Sequence, residues 1–156
     1  MAETNDTIEI DELDRNILNV LLSEGRKSFR QVAEAVDSTP ATVINRVDRL
    51  EDGGVVTGYS ADIDYRRLGY DGLAAVEVVV NGDALPALRE EVEEHDNVVT
   101  AFTITGDTDL LLLVTFPDRS ALTDFVQDEL SRSENVEKTI THVILDVLKE
   151  SDGPTL

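Results

Sequence analysis

The hydrophobic pattern of this chain changes its period near Gly72, and that change limits the folds the chain can adopt. Before Gly72, apolar residues recur at the i, i+3, i+4 spacing of a buried helix face. After it, the run LAAVEVVV (73–80) and later segments have the pattern of strands that alternate with helices. The sequence therefore predicts a mainly helical N-terminal part followed by an αβ C-terminal part, an α+β protein with two domains.

Capping residues mark the first two helices of the N-terminal part. Asp11 stands where the N-cap of a helix over 11–24 should be, and Gly25 is placed to end that helix. Ser28 and Gln31 have the S-x-x-Q spacing of a capping box, in which each residue satisfies a free backbone N–H of the other. A second helix is therefore predicted to begin at Ser28.

A short turn separates the second helix from a third. Thr39 can cap the third helix, and Pro40 suits its first position, where a missing N–H loses no hydrogen bond. Three helices with a tight turn before the last are typical of a helix-turn-helix. The segment 55–62, turning near Gly58, is predicted to form a short two-stranded wing.

The C-terminal part reads as four strands and two helices. The strands are predicted at 73–80, 98–105, 110–116 and 136–148, and the helices at 84–95 and 120–130. The order β-α-β-β-α-β is that of the ferredoxin-like arrangement, with one antiparallel sheet and both helices on one face. The predicted boundaries are an N-terminal tail (1–10), a winged helix-turn-helix domain (11–62), a linker (63–71), a ferredoxin-like domain for ligand sensing and oligomerisation (72–150) and a C-terminal tail (151–156).

The chain is strongly acidic throughout its length. It holds 33 acidic and 13 basic residues, a formal net charge of −20, and only three lysines: Lys27, Lys138 and Lys149. Dispersed acids with scarce lysine are typical of a protein that works in molar salt, where a Debye length of about 3 Å screens self-repulsion. An acidic protein from a mesophile is the alternative, since surfaces tolerate such a charge.

A local excess of basic residues opposes this trend. Between Arg26 and Arg49, five basic residues face three acidic ones, a net charge of +2, whereas residues 72–156 carry −13. In a helix-turn-helix the third helix enters the DNA major groove and the second crosses the backbone. The basic excess therefore lies where DNA would approach.

The third helix carries side chains suited to reading DNA. Thr42 and Asn45 can hydrogen-bond base edges, and Arg46 can contact guanine or phosphate. The candidates for contacts to the DNA backbone are Arg26, Lys27, Arg30 and Arg49. Ser38 and Thr39 complete the predicted DNA-binding set. The plainer alternative for Arg46 and Arg49 is that they only solvate one face of the helix.

These features together resemble the Lrp/AsnC family of transcription regulators, also called feast/famine regulators. The strings TVINRVDRLEDGGVV (42–56) and TGDTDLLLLV (105–114) carry the resemblance, which spans roughly residues 10–148. It implies a winged helix-turn-helix joined by a linker to an effector-binding αβ domain. It also implies sheet-to-sheet homodimers, often assembled into octamers, and a small effector, typically an amino acid. With the acidity, it predicts a cytoplasmic regulator from a halophilic archaeon.

The loop between the two middle strands is the candidate effector site. Asp107 and Asp109 bring carboxylates to one end of the sheet, where they could receive an amino group. The resemblance implies that this loop lines the effector pocket, which gives the set Thr105, Gly106, Asp107, Thr108 and Asp109. Thr108 stands where the family often has tyrosine. The alternative is a polar hairpin turn, since Gly and Asp are usual turn residues.

Other function classes find little support in the residues. The chain has no cysteine, and its two histidines, His95 and His142, lie apart without metal-binding spacing. GGVVTGYS (53–60) lacks the lysine of a phosphate-binding loop and follows a helix, not a strand. No enzyme, cofactor, metal or membrane association is expected. The remaining alternative is an effector-sensing or assembly module whose helix-turn-helix does not read DNA.

Overall fold

A computed structural model describes residues 8–149 and divides the chain into two compact units. The N-terminal unit is described here over residues 8–62, and the C-terminal unit spans Ile63–Leu148. The predicted tail 151–156 and most of the predicted tail 1–10 lie outside the described residues.

The N-terminal unit contains the three predicted helices: α1 (Glu12–Ser23), α2 (Phe29–Ala35) and α3 (Pro40–Asp52). Their N-caps are the predicted residues. Ser28 and Gln31 form the expected capping box, and Thr39 accepts the backbone N–H of Thr42. Asp11 and Asp14 form a further box at the start of α1. A small apolar core joins the helices, made of Ile17, Val32, Ala33, Val43 and Val47.

The predicted two-stranded wing is wrong in its secondary structure. No residue of 53–62 pairs as a strand. The backbone N–H groups of Val55 and Val56 instead donate to the carbonyl of Leu50, closing the end of α3. The Tyr59 hydroxyl donates to Glu51 Oε1 at 2.8 Å, and burial together with this bond raises the pKa of Tyr59 to about 12. The segment therefore packs back on α3, and a hairpin without further strands would be marginal in water.

The C-terminal unit has the predicted order of elements. They are β1 (Gly72–Val80), α4 (Leu85–Glu93), β2 (Val98–Thr103), β3 (Leu110–Phe116), α5 (Arg119–Asp124), a π-helical continuation (Phe125–Leu130) and β4 (Val136–Ile144). The four strands form one antiparallel sheet in the order β2-β3-β1-β4. A 3₁₀ helix, Tyr65–Leu68, lies within the predicted linker.

The last strand is shorter than predicted. The sequence predicts a strand to Leu148, but β4 ends at Ile144, which pairs with Leu73. Its neighbour β1 begins at Gly72, so residues beyond Ile144 have no partner strand to continue the ladder. The apolar side chains of Leu145 and Leu148 are consequently more than nine-tenths exposed.

The two faces of the sheet differ in what covers them. On one face, alternate residues of β1 such as Val76 and Val78 pack with Leu88 of α4 and with Phe125 and Leu130. The opposite face is mostly apolar and only half-buried. By register it carries Leu73, Ala75, Glu77, Val79, Phe102, Leu111, Leu113, Ile140, His142 and Ile144.

We expect Gly72→Ala to destabilise the C-terminal unit by about 1–3 kcal/mol, the usual cost of overpacking. A Cβ at this position would overlap the ring of Phe116, which is buried with Ala74 and Leu122. Gly58→Ala is the matched control, because a Cβ there meets no atom within 4 Å. Urea unfolding of both variants measures the difference, and equal stability would show that the ring moves without cost.

Candidate nucleic-acid interface and effector loop

The start of α3 presents a polar surface. Thr39 Oγ1 accepts the backbone N–H of Thr42 at 3.2 Å, and the two threonine hydroxyl oxygens lie 2.9 Å apart. Asn45, one turn further along, is exposed, and its side chain makes no hydrogen bond within residues 8–149. Ser38 immediately precedes the cap and is half-buried. The candidate base-reading side chains therefore share the N-terminal half of one helix.

The basic residues around α2 face solvent in weak pairs. Lys27 Nζ lies 2.8 Å from Glu24 Oε1, and Arg30 Nε lies 3.3 Å from Glu34 Oε1. Arg26 is exposed and has no ion-pair partner in the part of the chain that the structure describes. Exposed pairs of this kind contribute little to stability. These side chains could therefore exchange a carboxylate for a phosphate at low cost.

Arg46 and Arg49 are engaged inside the N-terminal unit. Arg46 Nη1 donates to Asp11 Oδ2 at 2.6 Å and to Asp14 Oδ1 at 3.1 Å. Arg49 Nη2 donates to Asp14 Oδ2. The side chain of Asp14 is fully buried, while those of Arg46 and Arg49 are 31% and 44% exposed. One carboxylate of α1 thus binds two arginines of α3.

This ion-pair cluster perturbs the titration of its exposed members. The backbone N–H of Asp14, followed by the Arg46 guanidinium, lowers the pKa of Asp11 to about 2. Hydrogen bonds to Asp11 and Asp14 raise the pKa of Arg46 above its ordinary value. Asp11 and Arg46 are therefore both charged throughout the physiological pH range.

The pairing with Asp14 is a third explanation for the arginines, beside DNA contact and simple solvation. It joins residues more than thirty positions apart, and local spacing gives no direct sign of such a contact. An indirect sign exists: Asp14 lies on the apolar face of α1, close to Ile17 and Leu18, and a buried carboxylate requires a cationic partner.

The effector loop is anchored by two of its five candidate residues. Asp109 Oδ2 accepts the backbone N–H of Val80 at 2.8 Å, and the Asp109 N–H donates to the Val78 carbonyl. Thr108 is buried, and its hydroxyl donates to Glu77 Oε2 at 3.3 Å. These bonds attach the loop to β1, so Asp109 and Thr108 have structural roles whether or not a ligand binds.

The rest of the loop is open. Thr105, Gly106 and Asp107 are exposed, and Gly106 has a φ of +134°, a conformation that side chains rarely adopt. Asp107 has no hydrogen-bond or ion-pair partner among residues 8–149. Of the two loop carboxylates expected to receive an amino group, Asp107 has both oxygens free within residues 8–149, whereas one oxygen of Asp109 is bonded to Val80.

The described range, residues 8–149, contains no group of three or more His, Cys, Asp or Glu side chains placed to hold a metal ion. None of its helices is both long and apolar enough to cross a membrane.

Both units match known sequence families. Residues 10–57 match the family described as winged helix-turn-helix DNA-binding. Residues 73–154 match the family described as Lrp/AsnC ligand binding domain. The chain belongs to the Lrp/AsnC family. It is accordingly a DNA-binding transcription regulator with a ligand-binding domain, and the Lrp/AsnC relatives are regulators of this kind, not enzymes.

The similarity to individual relatives extends over almost the whole of this Lrp/AsnC regulator. An uncharacterised HTH-type transcriptional regulator of Pyrococcus furiosus is 34% identical over 143 residues, which are 92% of this chain and 96% of the relative. The leucine-responsive regulatory protein of Escherichia coli K12 is 31% identical over 147 residues, covering 92% and 90%. A solved structure of a Neisseria meningitidis transcriptional regulator in complex with L-Met has a TM-score of 0.90 and 29% identity, covering 95% and 96%.

We expect Asp14→Asn to destabilise the N-terminal unit by about 1–3 kcal/mol. This is less than the ~3–5 kcal/mol lost when a fully buried ion pair is broken, because both arginines are partly exposed to water. The amide keeps the size of the side chain but removes the charge that binds two guanidinium groups. Glu12→Gln, an exposed change on the same helix, is the control. Thermal unfolding in concentrated KCl measures the stability of both variants. An Asp14→Asn protein as stable as the wild type would contradict the structural role given to the cluster.

The lowered pKa of Asp11 predicts a specific acid response. A carboxyl with a pKa of about 2 when folded and about 3.8 when unfolded stabilises the fold above pH 4, and this contribution disappears as the pH falls toward 2. The Asp11→Asn variant should not show this fall in stability with pH, and its asparagine should still cap α1. Urea unfolding at stepped pH values compares the two proteins. An NMR titration midpoint for Asp11 near 3.8 would refute the assignment.

Proposed function

We propose that this regulator reads operator DNA with the exposed N-terminal half of α3, using Thr42 and Asn45 on base edges and Ser38 and Thr39 beside them. The observation that supports this most is the lack of competing ion pairs there: Asn45 is exposed and unpaired within the described range. Amide and hydroxyl groups of this kind hydrogen-bond bases in the major groove.

The basic residues then divide into two roles. Arg26, Lys27 and Arg30 contact phosphate from the α2 side, because their present partners are exposed carboxylates or none. Arg46 and Arg49 primarily fix α3 on α1 through Asp14. A guanidinium has five donors, and Arg46 commits only Nη1 to these contacts, so both arginines retain N–H groups for phosphate.

The uncovered sheet face supports assembly through the C-terminal unit. An antiparallel sheet that faces water normally carries polar residues on that side. Here Leu73, Leu111, Leu113 and Ile140 are apolar and only half-buried, so a second copy packed on this face would remove them from water. Such a homodimer places two reading heads on half-sites about 34 Å apart or a multiple of it. An octamer of four dimers is the larger assembly in this proposal.

The ligand of the C-terminal unit is a small effector, and an amino acid is the class we propose. The Neisseria meningitidis regulator with the similar fold binds L-Met. Effector binding would change DNA affinity by favouring one assembly or one spacing of the reading heads. The loop 105–109 and its surroundings are the proposed location.

We also propose that the regulator works in the cytoplasm of a halophilic archaeon. Dispersed acids and only three lysines support concentrated salt as its solvent. Ordinary phosphate contacts lose affinity with salt, with a slope near −0.9 per neutralised phosphate. Acidic residues near the reading head would take up cations as DNA arrives, and so flatten or reverse that slope.

The alternative, an assembly module that does not read DNA, makes the opposite prediction for α3. Fluorescence anisotropy in concentrated KCl, first on DNA upstream of its own gene and then on fragments selected from the genome, tests both. We expect Asn45→Ala to weaken specific binding by at least about fivefold, since a base contact contributes about 1–3 kcal/mol. Asn16→Ala, an exposed asparagine on α1, is the matched control.

A phosphate contact and a base contact can be separated in the same assay. Arg30→Gln should weaken specific and non-specific DNA alike and reduce the salt slope by about 1, whereas Asn45→Ala should affect specific DNA alone. If a folded oligomer binds no genomic fragment, with or without amino acids present, the assembly module is the correct interpretation.

A further inference from the structure

One asparagine of the chain differs from the others in the residue that follows it. Of the seven asparagines, only Asn81 precedes a glycine, and the others precede Asp6, Ile17, Val20, Arg46, Val98 and Val136. An asparagine side chain can form a ring when the backbone nitrogen of the next residue reaches its amide carbon. A side chain on that next residue hinders the approach, whereas glycine has no Cβ. The sequence therefore singles out the pair formed by Asn81 and Gly82.

The fold protects the remaining asparagines of residues 8–149. Three of them lie in helices, whose hydrogen-bonded backbone is not free to rotate and close the ring: Asn16, Asn19 and Asn45. The other two directly precede strands, and the first nitrogen of each strand is already bonded. The Val98 N–H donates to the His95 carbonyl at 3.0 Å, and the Val136 N–H donates to the Ser133 carbonyl at 3.1 Å.

Asn81 and Gly82 lie in an exposed turn between β1 and α4. The Ala84 N–H closes this turn by donating to the Asn81 carbonyl at 3.2 Å, and Gly82 has a φ of +58°, which glycine adopts without steric cost. The Gly82 N–H has no acceptor among residues 8–149, and a Cβ at this position would meet no atom within 4 Å. The nitrogen that would attack the amide is therefore unbonded and unhindered.

The side chain of Asn81 is held at its nitrogen only. Its Nδ2 donates to the Glu134 carbonyl at 3.1 Å, whereas its Oδ1 has no partner in the part of the chain that the structure describes. The bond to Glu134 must break before the side chain can turn toward Gly82. The net contribution of one hydrogen bond corresponds to a factor of about two to ten in an equilibrium constant. The fold therefore slows ring closure at Asn81 without preventing it.

We propose that Asn81 is a site of spontaneous deamidation, with water as the only co-reactant. The Gly82 nitrogen attacks Cγ of Asn81, a C–N bond forms, and the bond from Cγ to Nδ2 breaks. The amide group leaves as ammonia, which takes up the proton lost by the Gly82 nitrogen. Water then opens the cyclic imide at either of its carbonyl carbons. The products are aspartate and isoaspartate, and in isoaspartate the main chain runs through the side-chain carbons.

Deamidation changes contacts that join three segments of the C-terminal unit. The donor Nδ2 is replaced by a carboxylate oxygen, which only accepts hydrogen bonds, so the bond to the Glu134 carbonyl is lost. The backbone N–H of Asn81 also donates to the Asn135 carbonyl at 2.9 Å, which ties the end of β1 to the loop before β4. The preceding residue, Val80, donates its N–H to Asp109 Oδ2. The modification therefore lies next to the bond that anchors the effector loop, and it should weaken that anchor as the protein ages.

Incubation of the folded chain in concentrated KCl, followed by mass spectrometry of its peptides, tests the site. The chain unfolded in guanidinium chloride at the same pH gives the reference rate. We expect Asn81 to deamidate in the folded chain about two- to tenfold more slowly than in the unfolded chain, the effect of one hydrogen bond. Both rates should rise with pH, because the deprotonated Gly82 nitrogen is the nucleophile. Asn135 is the internal control and should remain an amide in the folded chain.

A folded-state rate more than about a hundredfold below the reference would overturn the proposal, because one hydrogen bond does not protect so strongly. Equal conversion of Asn135 would also overturn it, since the bonded nitrogen of Val136 should prevent the reaction there. Asn81→Gln keeps the amide but requires a larger ring, so this variant should stay unmodified at position 81. Neither measurement involves DNA or an effector, so the result does not depend on the function proposed above.

The effect on the effector loop is measured separately with Asn81→Asp, which reproduces one of the two products. We expect amide hydrogen exchange at Val80 to be about two- to tenfold faster in this variant than in the wild type, the worth of one hydrogen bond. Exchange at Ala33, in the N-terminal unit, is the control and should not change. Unchanged exchange at Val80 would refute the proposed weakening of the anchor.

Discussion

The geometry of the N-terminal unit depends on the buried carboxylate of Asp14. Its apolar core is small, and three short helices with little core between them can tilt or slide at modest cost. Asp14 removes that freedom because its two oxygens bind Arg46 and Arg49, one turn apart on α3, from a fully buried position on α1. A buried charge is costly unless its partners are in place. The angle of α3, on which any reading of DNA depends, is therefore set by an ion pair as well as by apolar packing.

This use of the arginines changes how the charge of the unit is interpreted. The net charge of +2 between Arg26 and Arg49 counts two guanidinium groups whose charge is largely balanced by Asp11 and Asp14. The cations most available to phosphate are then Arg26, Lys27 and Arg30. With so few of them in so acidic a chain, electrostatic attraction alone gives weak binding in salt. In the proposed interface, specific contacts from Asn45 and Thr42 would accordingly supply much of the affinity.

Local signals in the sequence predicted most of the fold, and contacts distant in sequence account for what they missed. Capping residues such as Ser28 and Thr39, and the change of period at Gly72, depend only on neighbours along the chain. The order of strands and helices followed from them. The bonds of Asp14 to α3 and of Asp109 to Val80 join distant segments, so spacing could not predict them. The two strands predicted for the segment 55–62 do not form there, because the backbone N–H groups of Val55 and Val56 donate to the carbonyl of Leu50.

The bonds of the predicted effector loop suit it better to transmit a signal than to hold a ligand unaided. Asp109 bonds to both Val78 and Val80, and Thr108 bonds to Glu77, so three residues of the central strand β1 are attached to the loop. Glu77 in turn lies 3.3 Å from His142 on β4, on the face left open for a partner. A ligand bound at the loop would therefore act, through these bonds, on β1 and on the proposed assembly face.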